Sequence, residues 1–350
     1  MAAARRVRVL VCTEIVGLQE AAAAAVRRRL GATVAVDWLE RPPASLKPGG
    51  TARKELLEAE VLLADPGAVV GVIDDAEKLR WMQSTWAGVN VLFSDTTKRD
   101  FVCTRIAGFF GPLMSEYSLG YILLLERRLL LARAQQDRKE WSTRPFTGGT
   151  RPLSGLTLGL LGCGDIGKDI ARSAKALGLK TAAFKRDISA PVEGVDLLTD
   201  DATAVLRASD FLVNTLPSTP ATRGLLSGDA LQACACDARA PGRPTIFINV
   251  GRGDIMDEAS ILNALESGWI DHAVLDVFPV EPLPKCETLC PNPTTFHHNC
   301  LRLAAKSLGC APAGSLPSGR TRRFTSRRTS LRSHSRPMSR TSLPATWRGI

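Results

Sequence analysis

The segment "LGLLGCGDIGKDI" contains a glycine motif that could bind phosphate groups. Gly162, Gly164 and Gly167 form a G-x-G-x-x-G pattern that directly follows an apolar run and opens a helical pattern. In that context the first glycine permits a tight turn, the second lets the backbone approach a pyrophosphate, and the third lets helix and strand pack closely. The helix N-terminus would offer N–H groups to the phosphates. The motif therefore predicts dinucleotide binding rather than a functionless turn, with these loop residues at the cofactor: Gly162, Gly164, Asp165, Ile166 and Gly167.

Two basic residues end the next strand pattern, in "AAFKRD". An NAD site commonly has an acidic residue near this point that holds the ribose hydroxyls. Here Lys185 and Arg186 occupy the position, and two cations would attract and hydrogen-bond a 2′-phosphate. The pattern predicts a preference for NADP(H). Asp187 is adjacent and keeps NAD(H) open, and the pair could also be no more than solvated basic residues.

Two alternations of strand and helix patterns would have to position these residues. The first covers roughly residues 5–110, with strand-like runs "RVRVLVC", "TVAVDWL", "VLLAD" and "RWMQSTW". A long helical segment follows, from about Pro112 to Trp141, and the second alternation begins at residue 156. The strands of the second part are nearly all apolar, as in parallel sheets covered on both faces. The fold class predicted is α/β, with two domains built on parallel sheets.

Charge is distributed very unevenly along the chain. The net charge is +10, but residues 301–350 contain ten Arg, one Lys and no acidic residue, which is +11, so residues 1–300 sum to −1. A nearly neutral body is not the footprint of a nucleic-acid-binding protein. Only the tail could bind a polyanion, and its Arg, Ser, Thr and Pro composition predicts disorder.

Cysteine usage and hydropathy indicate a cytoplasmic protein. The nine cysteines are odd in number and scattered, which is not a disulfide framework and favours a reducing compartment. Cys286, Cys290 and Cys300 lie near His298, but their spacing matches no zinc pattern, so no metal site is predicted. The N-terminus lacks the apolar run of a signal peptide, and the most apolar helical stretch, "LGYILLLERRLLLARA", is interrupted by charges. No membrane span is predicted.

From about residue 60 to 298 the chain resembles the D-isomer-specific 2-hydroxyacid dehydrogenases. The glycine loop, "NTLPSTPATRGLL", "INVGRGDIMDE" and "LDVFPVEPLP" occur in that family's order and approximate spacing. "STWAGVNVL" and "FGPLMSEYSLGYIL" look closest to the glyoxylate/hydroxypyruvate reductase branch. The resemblance implies two Rossmann-like or flavodoxin-like domains with the active site in the cleft between them. It gives a substrate domain over 1–110, a dinucleotide-binding domain over 111–298, and an atypical tail over 299–350.

The resemblance also assigns roles to individual residues. It places the catalytic arginine at Arg252, the catalytic glutamate at Glu281, and the aspartate that holds the nicotinamide carboxamide at Asp276. It adds a substrate-binding loop with Trp86 beside it, and further cofactor contacts. The loop is Ala87, Gly88 and Val89, and the further contacts are Leu216, Pro217, Val250 and Gly251.

The chemistry gives these residue types a reason. A 2-keto acid carries a carboxylate beside a carbonyl, and one planar guanidinium can bind the former and polarise the latter. Reduction leaves an alkoxide that needs a proton, for which a histidinium paired with a carboxylate is well suited near neutral pH. We therefore expect a histidine soon after Glu281.

Two adjacent histidines meet that expectation in "PNPTTFHH". His298 falls at the position of the family's histidine and His297 at that of the preceding proline, 17 residues after Glu281 for His298. The family continues with an amphipathic helix, whereas this chain continues with its basic tail. His298 is the predicted proton donor, with His297, or no competent histidine, as the alternatives. His272, at the start of a strand, is predicted to be structural.

The sequence thus predicts an NADP(H)-dependent oxidoreductase that reduces small 2-keto acids, such as glyoxylate and hydroxypyruvate, to 2-hydroxy acids. A catalytically impaired scaffold or sensor of the same fold, still binding a dinucleotide, is the alternative. The resemblance also implies a homodimer.

Overall fold

Two parallel β-sheets organise the protein. The computed structural model describes residues 6–31, 35–46, 52–94, 96–143, 146–147, 149–235, 244–281 and 295–297. The described residues from 6 to 104 form a first lobe around a five-stranded sheet, and those from 110 to 297 form a second lobe around a seven-stranded sheet. Both lobes belong to one compact unit. The α/β class with two Rossmann-like lobes is confirmed.

The first sheet has the strand order β2-β1-β3-β4-β5, and every neighbouring pair is parallel. Strands β3 and β4 bury every second residue, the last four residues of β1 are all buried, and Leu10, Leu62 and Met82 are fully buried in one core cluster. A parallel sheet needs helical crossovers, which cover its faces. The strands are β1 Arg6–Cys12, β2 Ala35–Glu40, β3 Val61–Ala64, β4 Trp81–Ser84 and β5 Val102–Thr104.

The second sheet has the order β12-β11-β10-β9-β6-β7-β8, again parallel throughout. Two core clusters form around it, and every residue of its central strands β9 and β10 is buried. Such strands read as continuous apolar runs because both faces lie under helices. The strands are β6 Thr157–Leu161, β7 Lys180–Phe184, β8 Leu197–Thr199, β9 Phe211–Asn214, β10 Thr245–Asn249, β11 Ile270–Leu275 and β12 Thr295–His297.

The helices of the described residues are mostly crossovers between these strands. They are α1 Leu18–Leu30, α2 Arg53–Glu58, α3 Pro66–Val69, α4 Asn90–Ser94, α5 Phe110–Glu126, α6 Leu129–Asp137, α7 Asp165–Ala176, α8 Ala202–Ala208 and α9 Glu258–Glu266. Helix α5 contributes Leu119, Ile122 and Leu125 to the core of the second lobe. Gly111 allows its first turn to approach α7, because a Cβ there would overlap the Asp169 carboxylate. None of the helices in the described part of the chain has the length and apolar character needed to cross a bilayer.

The structure divides the single helical segment that we predicted from Pro112 to Trp141. Helix α5 ends at Glu126 and α6 begins at Leu129. Between them Arg128 has a left-handed backbone conformation, with φ of 53°, which a continuous α-helix does not allow. The predicted disordered tail lies outside the described residues, as do Cys286, Cys290, Cys300 and His298.

Candidate active site

A cavity of about 720 Å³ opens at the carboxyl ends of β6, β7, β9 and β10, where doubly wound sheets bind ligands. Many predicted cofactor contacts line it: Gly162, Gly164, Asp165, Ile166, Gly167, Lys185, Arg186, Leu216, Pro217, Val250 and Gly251. The predicted catalytic Arg252 also lines it. The first lobe contributes Ala87, and the segment joining the lobes contributes Arg105, Ile106, Ala107 and Gly108. The structure therefore brings these sequence-predicted residues together in one cleft.

The glycine turn has the geometry that its motif requires. Gly162 has φ of 96°, which side-chain-bearing residues rarely adopt. A Cβ on Gly167 would lie 2.5 Å from the Gly162 carbonyl oxygen, so the third glycine permits the close approach of α7 to the turn. A Cβ on Gly164 would meet nothing within 4 Å, so the space beside it stays open to a ligand. The Thr215 hydroxyl, which the sequence pattern did not indicate, donates to the Gly162 carbonyl at 2.9 Å.

The amino end of α7 lines the cleft and is the predicted phosphate site. The helix begins at Asp165, and its N-cap, Gly164, has no side chain to accept from the first-turn N–H groups. Those groups are the donors that an anion at a helix N-terminus receives. The Cys163 thiol lies in the same turn, and burial raises its pKa despite the nearby positive charges of Lys168 and Lys185. The thiol is therefore neutral near pH 7 and does not repel an anion.

Lys185 and Arg186 lie directly after β7 and line the same cavity. The carboxylate of the adjacent Asp187 accepts a hydrogen bond from the Ser189 N–H at 3.0 Å. Bonding to Ser189, helped by the charge of Lys185, lowers the pKa of Asp187. Asp200 is an acidic residue that does line the cavity. The cavity wall at the end of β7 is thus basic, with one carboxylate from the neighbouring strand.

A buried pair of side-chain amides joins the two central strands at their carboxyl ends. Asn214 donates to the Asn249 oxygen at 2.8 Å, and both side chains are almost completely buried. The Asn214 oxygen accepts from the Leu216 N–H at 3.1 Å, and the Asn249 oxygen accepts from the Gly251 N–H at 3.2 Å. Asn249 also donates to the Arg252 carbonyl at 3.1 Å. The pair fixes the backbone that carries the predicted cofactor contacts Leu216 and Gly251 and the arginine.

The Arg252 guanidinium lies where the lobes meet. Its Nη1 donates to the Gly251 carbonyl at 2.6 Å, and its Nε donates to the Asn90 side-chain oxygen at 3.3 Å. On the first lobe a Cβ at Gly88 would overlap Nη2, so that glycine allows the guanidinium to lie against the predicted substrate loop. Asn90 is a contact that the sequence did not reveal. The arginine therefore spans the cofactor cavity and the first lobe.

The predicted substrate loop reaches the cleft only in part. It is Ala87, Gly88 and Val89, with Trp86 beside it, and it follows β4 after Thr85. Ala87 lines the cavity and Gly88 contacts Arg252, whereas Trp86 and Val89 are not among the lining residues. The Trp86 side chain is 58% exposed. The loop can thus offer backbone groups beside the guanidinium, while its tryptophan lies at the surface.

Hydrogen bonds in the first lobe hold this loop in place. The Ser84 hydroxyl donates to the Trp86 carbonyl at 2.9 Å and accepts from its N–H at 3.1 Å. The Asp65 carboxylate accepts from the Thr85 hydroxyl and, at 2.7 Å, from the Thr13 hydroxyl. Both threonines are buried, so the loop has a rigid base on the ends of three strands.

Asp276 and Glu281 lie beyond β11 and are not brought into the cavity wall. Asp276 donates its N–H to the Asn249 carbonyl at 3.0 Å. Burial raises the pKa of Tyr117, and the negative charge of Asp276 raises it further. The exposed Glu281 accepts from the Phe278 N–H at 2.9 Å. The chain after β11 packs against the turn at Arg252 and Gly253. The contact is so close that a Cβ at Gly253 would overlap the Phe278 carbonyl group.

The histidines divide between the described and undescribed residues. His298 lies outside the described residues, so its predicted role stays a prediction. His297 belongs to β12, where its backbone pairs in register with Leu275 of β11. His272 lies near the start of β11, with its Nδ1 3.1 Å from the neighbouring Asp271 carboxylate, at the opposite end of the sheet from the cavity.

These features define the class of protein. A glycine turn, an open helix N-terminus, a basic strand end and a cavity of this size fit a nicotinamide dinucleotide. An arginine at the inner end suits a carboxylate-bearing substrate. The arrangement is that of a dinucleotide-dependent dehydrogenase.

Comparison with known sequences identifies the family. Residues 119–299 match the NAD binding domain of D-isomer specific 2-hydroxyacid dehydrogenases. The chain belongs to this family, whose members are NAD(P)-dependent 2-hydroxyacid dehydrogenases. The resemblance seen in the sequence is confirmed.

Individual relatives agree in fold and differ in reaction. A family member from Aeromonas salmonicida is 31% identical, with a TM-score of 0.68 over 87% of this chain and 92% of that one. The NADPH-dependent glyoxylate/hydroxypyruvate reductase from Sinorhizobium meliloti, solved with NADP and sulfate, is 27% identical, with a TM-score of 0.65 over 83% of this chain and 87% of that one. D-3-phosphoglycerate dehydrogenase from Methanocaldococcus jannaschii is 31% identical over 67% of this chain. That match covers only 44% of the archaeal protein, so this chain spans less than half of it.

Proposed function

We propose that this chain reduces small 2-keto acids, such as glyoxylate and hydroxypyruvate, to 2-hydroxy acids, with NADP(H) as the preferred cofactor. The observation that carries the proposal is the position of Arg252. Its guanidinium lines the cofactor cavity and lies against Gly88 of the first lobe. A keto acid held there would have its carboxylate on the substrate loop and its carbonyl beside a fixed positive charge.

The residues of the cleft divide the work. Backbone groups of Ala87, Gly88 and Val89 and the Arg252 guanidinium bind the substrate carboxylate, and the guanidinium also polarises the keto oxygen. When bound, the nicotinamide supplies the hydride that the keto carbon receives. The two lobes on either side of the cavity limit the access of water to that carbon.

The alkoxide that forms needs a proton, and we assign its donation to His298 with Glu281. The support is the family resemblance of their positions in the sequence. A carboxylate beside a histidine favours the imidazolium and so raises the pKa of the imidazole, which keeps it protonated near neutral pH. Asp276 is assigned to the nicotinamide carboxamide on the same support.

The preference for NADP(H) rests on the basic end of the cavity. Lys185 and Arg186 line it, while the carboxylate of Asp187 bonds to Ser189. Two cations stabilise a 2′-phosphate through charge-assisted hydrogen bonds. The reductase from Sinorhizobium meliloti, which was solved with NADP, supports the same preference.

Replacing both residues by alanine tests this preference. We expect Lys185→Ala/Arg186→Ala to weaken NADPH binding by about 100-fold, since each lost charged hydrogen bond costs about 1.5 kcal/mol, and to change NADH binding little. Fluorescence titration with both cofactors measures the ratio. Lys180→Ala, at the opposite end of β7, is the matched control. Equal losses for NADPH and NADH would contradict the assignment.

The reaction itself is tested by following NADPH absorbance with glyoxylate or hydroxypyruvate. We expect the wild type to oxidise NADPH with these substrates. The His298→Ala substitution should abolish turnover, and His297→Ala should leave it unchanged. NADPH binding without turnover of either substrate would overturn the proposal in favour of the dinucleotide-binding scaffold. A parallel assay with D-3-phosphoglycerate and NAD⁺ tests the reaction for which the relative from Methanocaldococcus jannaschii is named. A strong preference for that pair would overturn both the substrate and the cofactor assignments.

A further inference from the structure

We propose that Asn90 is a positioning residue, which sets the orientation of the Arg252 guanidinium from the opposite lobe. The inference rests on the proposed function, because it concerns the arginine that would bind the keto acid. Asn90 is the first residue of α4, directly after the substrate loop. The hydrogen bond from Arg252 Nε to its side-chain oxygen, at 3.3 Å, joins residues 162 positions apart.

The contacts around the guanidinium show why one more anchor matters. The second lobe holds one edge through the 2.6 Å bond from Nη1 to the Gly251 carbonyl. A single bond at one nitrogen leaves the planar group able to rotate about that contact. The bond from Nε to Asn90 fixes a second point, and Gly88 then lies against Nη2. Two anchored nitrogens define the plane in which the remaining N–H groups meet a carboxylate.

An amide suits this position better than a carboxylate would. Its oxygen accepts from the Nε N–H without neutralising the guanidinium, so the full positive charge remains for an anionic substrate. An arginine side chain also has about 2 kcal/mol of rotamer entropy to lose when it binds. Fixing it beforehand moves that cost out of the binding step.

The acceptor and the donor belong to different lobes, which has a functional consequence. The guanidinium is correctly oriented only when Asn90 lies against it, as in this arrangement of the lobes. The approach of the substrate loop and the alignment of the arginine therefore occur together. Alignment of a reacting group in this way contributes to rate as well as to affinity.

Substitutions at Asn90 separate orientation from folding, because the side chain is exposed and its removal should leave the fold intact. Asn90→Ala should lower kcat for glyoxylate about 10-fold while NADPH affinity stays unchanged. Asn90→Asp keeps an acceptor and adds a negative charge. It should keep kcat within about two-fold and raise KM, because the carboxylate competes with the substrate for the guanidinium. Asn263→Ala removes an exposed asparagine that bonds to Asp229, away from the cavity lining, and it should leave kcat, KM and NADPH affinity unchanged.

The decisive experiment is a double-mutant cycle on the NADPH-bound protein, with oxalate as the probe. Oxalate affinity should fall about 10-fold in Asn90→Ala, and the same substitution should have no further effect in an Arg252→Ala background. An equal loss of oxalate affinity in both backgrounds would overturn this inference and leave the proposed function intact. Unchanged kcat and oxalate affinity in Asn90→Ala would do the same. A wild-type chain that binds NADPH but neither oxalate nor any keto acid would overturn the proposed function, and this inference with it.

Discussion

The two ends of the second sheet use charge in opposite ways. At the amino end, Arg151 bonds to Glu126 at 3.0 Å and to Asp210 at 2.7 Å. The Glu126 side chain is completely buried, and the other Asp210 oxygen accepts from the Thr157 N–H at 2.9 Å. At the carboxyl end, the Arg252 guanidinium bonds within the described residues to neutral groups, the Gly251 carbonyl and the Asn90 amide, and it lines a cavity.

The difference separates stability from recognition within one fold. Arg151 joins the end of α5 to Asp210, which directly precedes β9, and its charge is balanced by two carboxylates of the protein itself. Arg252 is positioned by neutral groups that leave its charge for a ligand. We therefore expect substitutions at the amino end to change unfolding, and those at the carboxyl end to change binding and turnover.

Arg252→Ala should give the largest effect, and on activity. Loss of the two roles proposed for this arginine, carboxylate binding and carbonyl polarisation, should lower kcat/KM for glyoxylate, the proposed substrate, on the order of 10³-fold or more, about 4 kcal/mol. The unfolding temperature should stay close to that of the wild type, because the side chain is only half-buried. NADPH oxidation and thermal unfolding of the same samples measure both. A variant with normal turnover would remove the contrast between the two ends.

Arg151→Ala should have the largest effect on stability. It leaves the buried Glu126 carboxylate without its main partner, which should cost about 3 kcal/mol of unfolding free energy. Urea denaturation measures the loss. The double substitution Glu126→Gln/Arg151→Met removes both charges and should be less damaging than the single one. Folded Arg151→Ala should retain its kcat, and a large drop would mean that the amino end also controls the site.

Two glycines of the glycine turn allow a finer separation of binding from stability. Gly167→Ala places a Cβ 2.5 Å from the Gly162 carbonyl, so it should weaken NADPH binding and also cost about 2 kcal/mol of stability. Gly164→Ala places its Cβ in open space, so it should weaken NADPH binding with little effect on unfolding. Titration and urea denaturation of both variants test the pair. Equal destabilisation by the two would contradict the geometry of the turn.

Asp257 follows β10 on the cavity side of the second sheet, but its charge stabilises a helix of the protein instead of a ligand. Its carboxylate caps α9 by accepting from the Ser260 N–H at 2.8 Å, and this bonding lowers its pKa. Asp257→Ala should cost about 1 kcal/mol of unfolding free energy at pH 7 and leave kcat unchanged.

The sign of the pH effect follows from the lowered pKa of Asp257. The stabilisation is fully present above the unfolded pKa of about 3.9 and is lost as pH falls through the folded value. The difference between wild type and Asp257→Ala should therefore shrink in acid. Asp257→Asn, which can cap without titrating, should remove this acid dependence from the cap. A constant difference across pH would show that the cap is not ionic.

Local patterns in the sequence predicted the elements that depend on local physics. The glycine turn at residues 162–167 and the apolar strands β6, β9 and β10 were identified because their requirements lie within a few residues. The strands β5, β8 and β12 were not identified, since each has three residues and lies at or near a sheet edge. The break at Arg128 depends on one backbone conformation that composition does not reveal.

The site was predicted where it followed motifs and missed where it depended on tertiary contact. Nothing local indicates that Asn90 meets Arg252. Asn214 and Asn249 had a weak signal, because each is a polar residue that ends an otherwise apolar strand. Asp276 and Glu281 matched the family pattern, yet their positions relative to the cavity wall depend on how the chain turns after β11.

The missing side chain at Gly253 has a mechanical consequence. The backbone at Gly253 lies so close to Phe278 that no Cβ would fit between them, and the Phe278 N–H donates to the Glu281 carboxylate. The backbone next to Arg252 is therefore in direct contact with the residue that holds the Glu281 carboxylate. A residue larger than glycine at 253 would displace Phe278, and with it the Glu281 carboxylate that its N–H holds, so a position without a side chain constrains where Glu281 lies.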